Sequence, residues 1–146
     1  MTINIKNFLN DKSKLSKMGE FQNLKQIDGL EMSSISADLY GDGRDDLALF
    51  YFSKGANYAT LTTSNTITSE FIPWNNNSHK KTIKGLLVNT KNANTFTGKQ
   101  GKESIDTLAK NLSRILTIKE SKSKAGTSET VKIKDLLFAS TGIIGE

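Results

Sequence analysis

The chain contains no cysteine, one histidine and one proline among its 146 residues. Without cysteine there are no disulfides, thiolate metal ligands or thiol nucleophiles, and a lone histidine cannot build a histidine cluster, so a classical zinc enzyme or zinc finger is excluded. Arginine is nearly as scarce, at 2 of the 20 basic side chains. The guanidinium fork that reads bases and phosphates bidentately is almost missing, and nucleic acid is not an expected partner. No apolar run approaches the roughly 18 residues of a spanning helix, and the first residues mix Asn, Lys and Asp where a secretion signal needs an apolar core. The expectation is a soluble, cytoplasmic protein with no membrane partner. Its 146 residues, 36% of them hydrophobic, suffice for one domain that buries roughly 70% of its unfolded surface.

Charge is unevenly placed. Residues 1–50 carry 6 basic and 8 acidic side chains, residues 51–100 carry 6 and 1, and residues 101–146 carry 8 and 6. A basic middle third suits an anionic partner or a solvated face. Lys80, Lys81 and Lys84 read as a soluble edge beside a strand.

Residues 1–34 are weakly patterned, with Ile5, Phe8, Leu9, Phe21, Leu24 and Leu30 as anchors that would pack onto a sheet edge; residues 35–146 form the domain. The apolar run Asp46–Ser53 predicts a central strand, and Tyr58–Thr63 a second one reached through a Lys54-Gly55-Ala56-Asn57 hairpin turn. Ile72 and Trp74 flank Pro73, and the following NNNSHKK reads as an exposed loop. A third strand is expected over Ile83–Val88. Ile105, Leu108, Ala109, Leu112, Ile115 and Leu116 form one helical stripe, in a helix starting near 101–103 with Glu103 and Asp106 in its first turns. A last strand, or a short helix, covers Leu136–Ala139. This order favours a single α/β domain, and a chain stopping just after it, with Ile143 and Ile144 uncovered, is expected to be part of a longer protein.

Asp38, Asp42 and Asp45 around Gly43 resemble a short calcium loop. Tyr40 occupies a ligand position, no glutamate closes the loop, and propeller architectures repeat such a motif whereas this chain holds one copy. A turn shaped by its own aspartates, with Arg44 partly neutralising them, is the simpler reading. A non-catalytic, calcium-dependent binding module is the alternative function that this turn would support.

Two segments place small polar residues where an apolar strand ends, the region in which open α/β sheets display their chemistry. The first, Asn89 to Gly98, includes Asn92, Asn94 and Thr97, side chains that donate, accept and tolerate unusual backbone angles. The second is Ser140-Thr141-Gly142. A hydroxyl beside a glycine N–H can aim two donors at one oxygen, as a tetrahedral oxyanion requires, although each segment by itself also reads as a turn.

GLLVNTKNANTFTGKQG, then the helix, then LLFASTGIIGE resemble the amino-terminal, alpha-chain half of the ornithine acetyltransferases, the bifunctional glutamate N-acetyltransferase family of arginine biosynthesis. Members show Asn-Ser-Gly-Asn-Ala-Asn, a nearby Thr-Gly, an amphipathic helix and Ser-Thr-Gly-x-Ile-Gly, in this order and spacing. DDLALFYFS and TLTTSN resemble the family's first strand and its Phe-Thr-Thr-Asn segment, so the likeness covers roughly residues 40–146. Asn-Ala-Asn with Ser-Thr-Gly-Ile-Ile-Gly favours the acetyltransferases over the peptidase branch of the same superfamily.

The resemblance implies a layered αββα architecture related to N-terminal-nucleophile enzymes, incomplete in this chain, and two chains made by self-cleavage of one precursor. It implies a ping-pong acyl transfer in which the new N-terminal threonine of the second chain takes acetyl from N-acetylornithine and passes it to glutamate, without cofactor or metal. Thr141 and Gly142 match the family's oxyanion pair. Asn89, Asn92, Asn94, Thr97, Gly98 and Ser140 match positions on the substrate side or in the structural loop. The nucleophile is absent, so the isolated chain is expected to be inactive. Its implied partners are the rest of the alpha chain and the second chain, in a hetero-oligomer. The chain departs from the pattern at Thr90-Lys91, where the family has Ser-Gly, at Leu61-Thr62-Thr63-Ser64-Asn65, which is one residue longer, and at TITSEFIPW, which replaces an Ala-Ala-Pro-Val run.

Overall fold

The apolar run after Asp46 builds the centre of a four-stranded sheet in the computed structural model, which describes residues 26–77, 81–123 and 130–145. The chain runs β1 (Leu30–Ile35), β2 (Leu47–Asn57), α1 (Phe71–Asn76), β3 (Thr82–Asn89), β4 (Asn92–Ala93), α2 (Gly98–Ser123), β5 (Leu136–Ser140) and β6 (Ile143–Ile144). The sheet order is β1-β2-β3-β5, and β4 and β6 make a separate two-stranded sheet. β2 is antiparallel to both β1 and β3, whereas β5 lies parallel to β3. Parallel neighbours need a long crossover, and α2 lies within that connection.

Register places Leu47, Leu49 and Tyr51 on one face with Leu87, Leu136 and Phe138. That face meets Ile105, Ala109, Leu112 and Leu116 of α2, with Phe71 and Val131 closing the core. Each large apolar side chain buried here contributes about 1.5–3 kcal/mol. Leu108 and Ile115 are 43% and 56% exposed, against the expected single stripe, because six apolar positions span a wider arc than one sheet contact covers. The helix also starts earlier than expected, at Gly98, so Glu103 lies past the first turn and pairs with Lys99 at 3.6 Å.

Several other expectations are corrected. Tyr58–Thr63 is not a strand; β2 continues through Gly55, with a register shift between Tyr51 and Ala56 but with Ala56 and Asn57 still paired to Ile83 and Thr82. The expected hairpin link is therefore a bulge in one long strand. β1 straddles the expected boundary at residue 35. Its LEMSSI is almost wholly exposed and carries no alternation, so only backbone pairing reveals it; the anchors Ile5 to Leu24 lie outside the described residues.

The expected NNNSHKK loop instead begins inside α1. The Asn75 amide donates to Phe138 O at 2.8 Å and accepts from Phe138 N at 3.1 Å, sealing the outer edge of β5 as a neighbouring strand would. Phe71 stacks on Phe138 at 5.8 Å and Trp74 meets it edge-on at 5.0 Å. Lys84 is no soluble edge: its side chain is 14% exposed, with Nζ 2.7 Å from Ser53 O and 3.4 Å from the buried Glu120 carboxylate, which also accepts the Tyr51 hydroxyl. A charge in such a place must be paired, and this one is. Lys81 is exposed as expected, while Lys80 lies outside the described residues. No helix among the described residues is long and apolar enough to cross a membrane.

Candidate active site

Because β3 and β5 run parallel with Asn89 opposite Ser140, the two polar strand ends leave the sheet side by side. They then zip together. Thr141 N donates to Asn89 O at 3.1 Å, Ile143 N to Lys91 O, and Gly145 N to Thr95 O at 3.0 Å. β4 and β6 pair within this zip, Asn92 opposite Ile143 and Ala93 opposite Ile144. Asp46, immediately before β2, anchors its base, since its carbonyl accepts Thr90 N at 2.8 Å.

Asn94 is the knot of the first segment. Its N–H donates to Ser140 Oγ at 3.0 Å, its carbonyl accepts Glu70 N at 2.8 Å and Ser69 Oγ at 2.9 Å, and its Nδ2 donates to Gly101 O at 3.2 Å. The Thr97 hydroxyl donates to Asn94 Oδ1. Gly101 completes the arrangement, since a Cβ there would overlap Thr97 Oγ1 and Asn94 Oδ1. Composition did not single out Gly101; the signal was a second glycine soon after Thr97-Gly98, in a helix where alanine is the favoured small residue. Gly98 has open space around it and marks the helix start at φ +57°. Asn89 Nδ2 closes the loop on Asn92 O at 2.8 Å, while Asn92 Oδ1 is buried without a partner among the described residues.

The second segment is arranged differently. Ser140 Oγ faces inward to Asn94, whereas Thr141 is exposed, and no hydrogen bond from its hydroxyl occurs among the described residues. Thr141 N–H and Ile143 N–H are both taken by the first segment; the Gly142 N–H between them has no backbone partner among the described residues. Gly142 adopts φ +134° with its Cα pressed on the Lys91 backbone, where a Cβ would overlap Lys91 C and O. Only glycine fits. One hydroxyl and one amide, adjacent and unengaged, are the donors that a developing oxyanion needs.

Lys91 holds φ +76° and Phe96 φ +67°, left-handed angles that bulky residues rarely adopt. Lys91 stands where the resemblance puts glycine, so a left-handed backbone angle is carried here by a residue poorly suited to it. Phe96 is 72% exposed, and nothing in the sequence marked its backbone.

The acidic turn carries its own explanation. The buried Asp46 accepts Ala37 N and Leu39 N at 2.7 Å each, Arg44 grips Asp42 through Nε at 2.7 Å, and Asp45 accepts the Ser34 hydroxyl. Arg44 also lies 4.3 Å from the Tyr40 ring centroid. These carboxylates point to separate partners, and no group of three metal-capable side chains occurs among the described residues. The Arg44 guanidinium holds the Asp42 carboxyl below its ordinary value.

The ArgJ family model matches residues 31–146, which take in all of the sheet but Leu30, the helix and both zipped segments. The chain belongs to the ArgJ family. Its relatives include the arginine biosynthesis bifunctional protein ArgJ of Bartonella henselae, 29% identical over 126 residues, and that of Nitrobacter winogradskyi, 30% identical over 128. These alignments cover 86% and 84% of this chain and 28% of each relative, of which this ArgJ-family chain is similar to an amino-terminal, alpha-chain-like portion. The α/β fold is that of the family's solved structures. Ornithine acetyltransferase of Mycobacterium tuberculosis, complexed with ornithine, superposes with a TM-score of 0.69 at 21% identity, covering 82% of this chain and 58% of that one. ArgJ of Bacillus halodurans gives 0.63 at 20% identity, with 82% and 56% covered.

Proposed function

We propose that this chain is the leading part of a glutamate N-acetyltransferase that carries acetyl from N-acetylornithine to glutamate through an acetyl-enzyme. The observation supporting this most directly is the Thr141–Gly142 turn, whose hydroxyl and N–H are left unengaged while the residues on either side fix its position. In the first step a threonine hydroxyl supplied from outside this chain attacks the acetyl carbonyl. As its carbon–oxygen bond forms, the carbonyl oxygen becomes anionic and accepts from Thr141 Oγ and Gly142 N; collapse breaks the C–N bond, and ornithine leaves with the nucleophile's proton. In the second step the neutral glutamate amine attacks the acetyl ester, the same donors take the charge, and collapse breaks the ester C–O bond as the threonine oxygen departs with a proton given up by that amine. Losing one such donor typically costs about 3 kcal/mol in the transition state.

The threonine belongs to a second chain released by self-cleavage, and the working enzyme is a cytoplasmic hetero-oligomer of the cleaved chains that needs no cofactor. Two facts support a further layer. The chain spans 28% of the curated relatives' length, and the sheet face opposite α2 carries the half-buried Phe50 beside Leu86, with Ile143 and Ile144 exposed beyond β5.

The test is Thr141→Ala in the complete, self-cleaved protein, shown first to be folded and cleaved. Its kcat for acetyl transfer falls by roughly 100-fold, with a much smaller change in KM for N-acetylornithine. Turnover within about threefold of wild type, together with a crippled Ser140→Ala, would move the oxyanion role to Ser140.

A further inference from the structure

We propose that Lys91 is a specificity-determining residue of this site, its ammonium engaging a carboxylate of the substrate beside the Thr141–Gly142 turn; this rests on the acyl-transfer reading of that turn. Lys91 lies against the turn. Its carbonyl accepts Ile143 N, and its backbone is what excludes a side chain from Gly142. It keeps φ +76° where glycine would sit without strain, so the side chain is present at a cost in backbone energy. Strain retained beside a reacting centre is a reason to ask what the side chain does.

Lys91 is half-buried, and among the described residues its ammonium has no carboxylate partner. From Leu47 to Lys102 the chain holds a single acidic residue, Glu70. A half-buried lysine without a carboxylate partner attracts an anion, and the neighbouring uncharged donors of Thr141 and Gly142 add to the attraction. An N-acyl amino acid presents a carbonyl oxygen for the turn and, a few bonds away, a carboxylate for Lys91. The inferred class is therefore acyl donors or acceptors bearing a carboxylate, discriminated from their neutral amides.

The experiment measures binding as well as turnover, using the complete protein at low ionic strength. N-acetylglutamate and its diamide are titrated calorimetrically into wild type, Lys91→Gln and Lys91→Arg. Gln keeps the backbone strain of Lys91 and a polar side chain one atom shorter, without its charge, so folding should be unaffected. Wild type is expected to prefer the dicarboxylate by roughly tenfold, an advantage lost in Lys91→Gln, kept in Lys91→Arg and weakened by salt. In the transfer assay Lys91→Gln raises KM by a similar factor with kcat little changed. A preference that survives in Lys91→Gln, or is missing from wild type, overturns the inference even if acetyl transfer proceeds. If wild type transfers no acetyl but its preference depends on Lys91, the carboxylate subsite stands and the transferase reading falls.

Discussion

Asn94 and the Thr141–Gly142 turn sit on adjoining segments at the same end of the sheet, and both come from short runs of small polar residues. Their hydrogen-bonding groups have opposite fates. Backbone and side chain of Asn94 are engaged by Ser140, Glu70, Ser69, Gly101 and Thr97. The Thr141 hydroxyl and Gly142 N–H face no protein acceptor among the described residues, although Thr141 N–H and Ile143 N–H are both engaged. A saturated polar group holds structure; an unengaged donor on a fixed frame can serve a substrate. Residue type did not distinguish scaffold from candidate site here, since asparagine and threonine have comparable capacity.

The largest effect that could break this contrast is at Gly142. Gly142→Ala forces a Cβ into the Lys91 backbone and should destabilise the protein by about 3 kcal/mol or more in urea unfolding. A loss under about 1 kcal/mol would mean that the two segments are not in contact as described. Next comes Asn94→Ala, which strips the partners of Thr97 Oγ1 and Gly101 O and should cost about 2 kcal/mol, while Thr141→Ala changes stability by less than about 0.5 kcal/mol. Equal stability losses for the two would erase the distinction between scaffold and site.

Ser140→Ala sharpens the comparison further, because Ser140 lies on the turn's strand but serves Asn94. It should cost about 1 kcal/mol in stability and reduce turnover far less than Thr141→Ala. The smallest effect is far from the site. The Asp42 carboxyl is lowered from 3.8 by Arg44, so its contribution is present at neutral pH and is lost as pH falls through the lowered value. Both side chains are exposed, and Asp42→Asn should leave the neutral-pH melting temperature almost unchanged while flattening the acid limb slightly. A large drop at neutral pH would show that the turn depends on this pair rather than on Asp46.

The elements legible in the sequence were those whose side chains report burial. β3, α2 and β5 have apolar runs or a stripe facing the core, and their expected spans fall within the observed ones. β1 has no signature in the sequence because LEMSSI buries almost nothing, and α1 has none because six residues around Pro73 offer no period to read. Pro73 is tolerated there as the third residue of the first turn. Nothing local marks Lys84 as buried, because lysine is ordinarily a surface residue and its partner Glu120 lies 36 positions away on another element.

From the sequence alone came the exclusion of cysteine and histidine-cluster chemistry, the α/β class, four of the six expected core positions of α2, and the two polar motifs whose letters and spacing resemble the acetyltransferases. All of these are linear properties, carried by composition, local periodicity and order along the chain. The tertiary structure decided that the two motifs zip together, that Asn94 is saturated while the Thr141–Gly142 donors are not, and that Lys91 is held left-handed against Gly142. Those outcomes depend on hydrogen-bond partners such as Ser140, 46 residues from Asn94, and a donor's availability is settled only when every neighbour that could take it is in place.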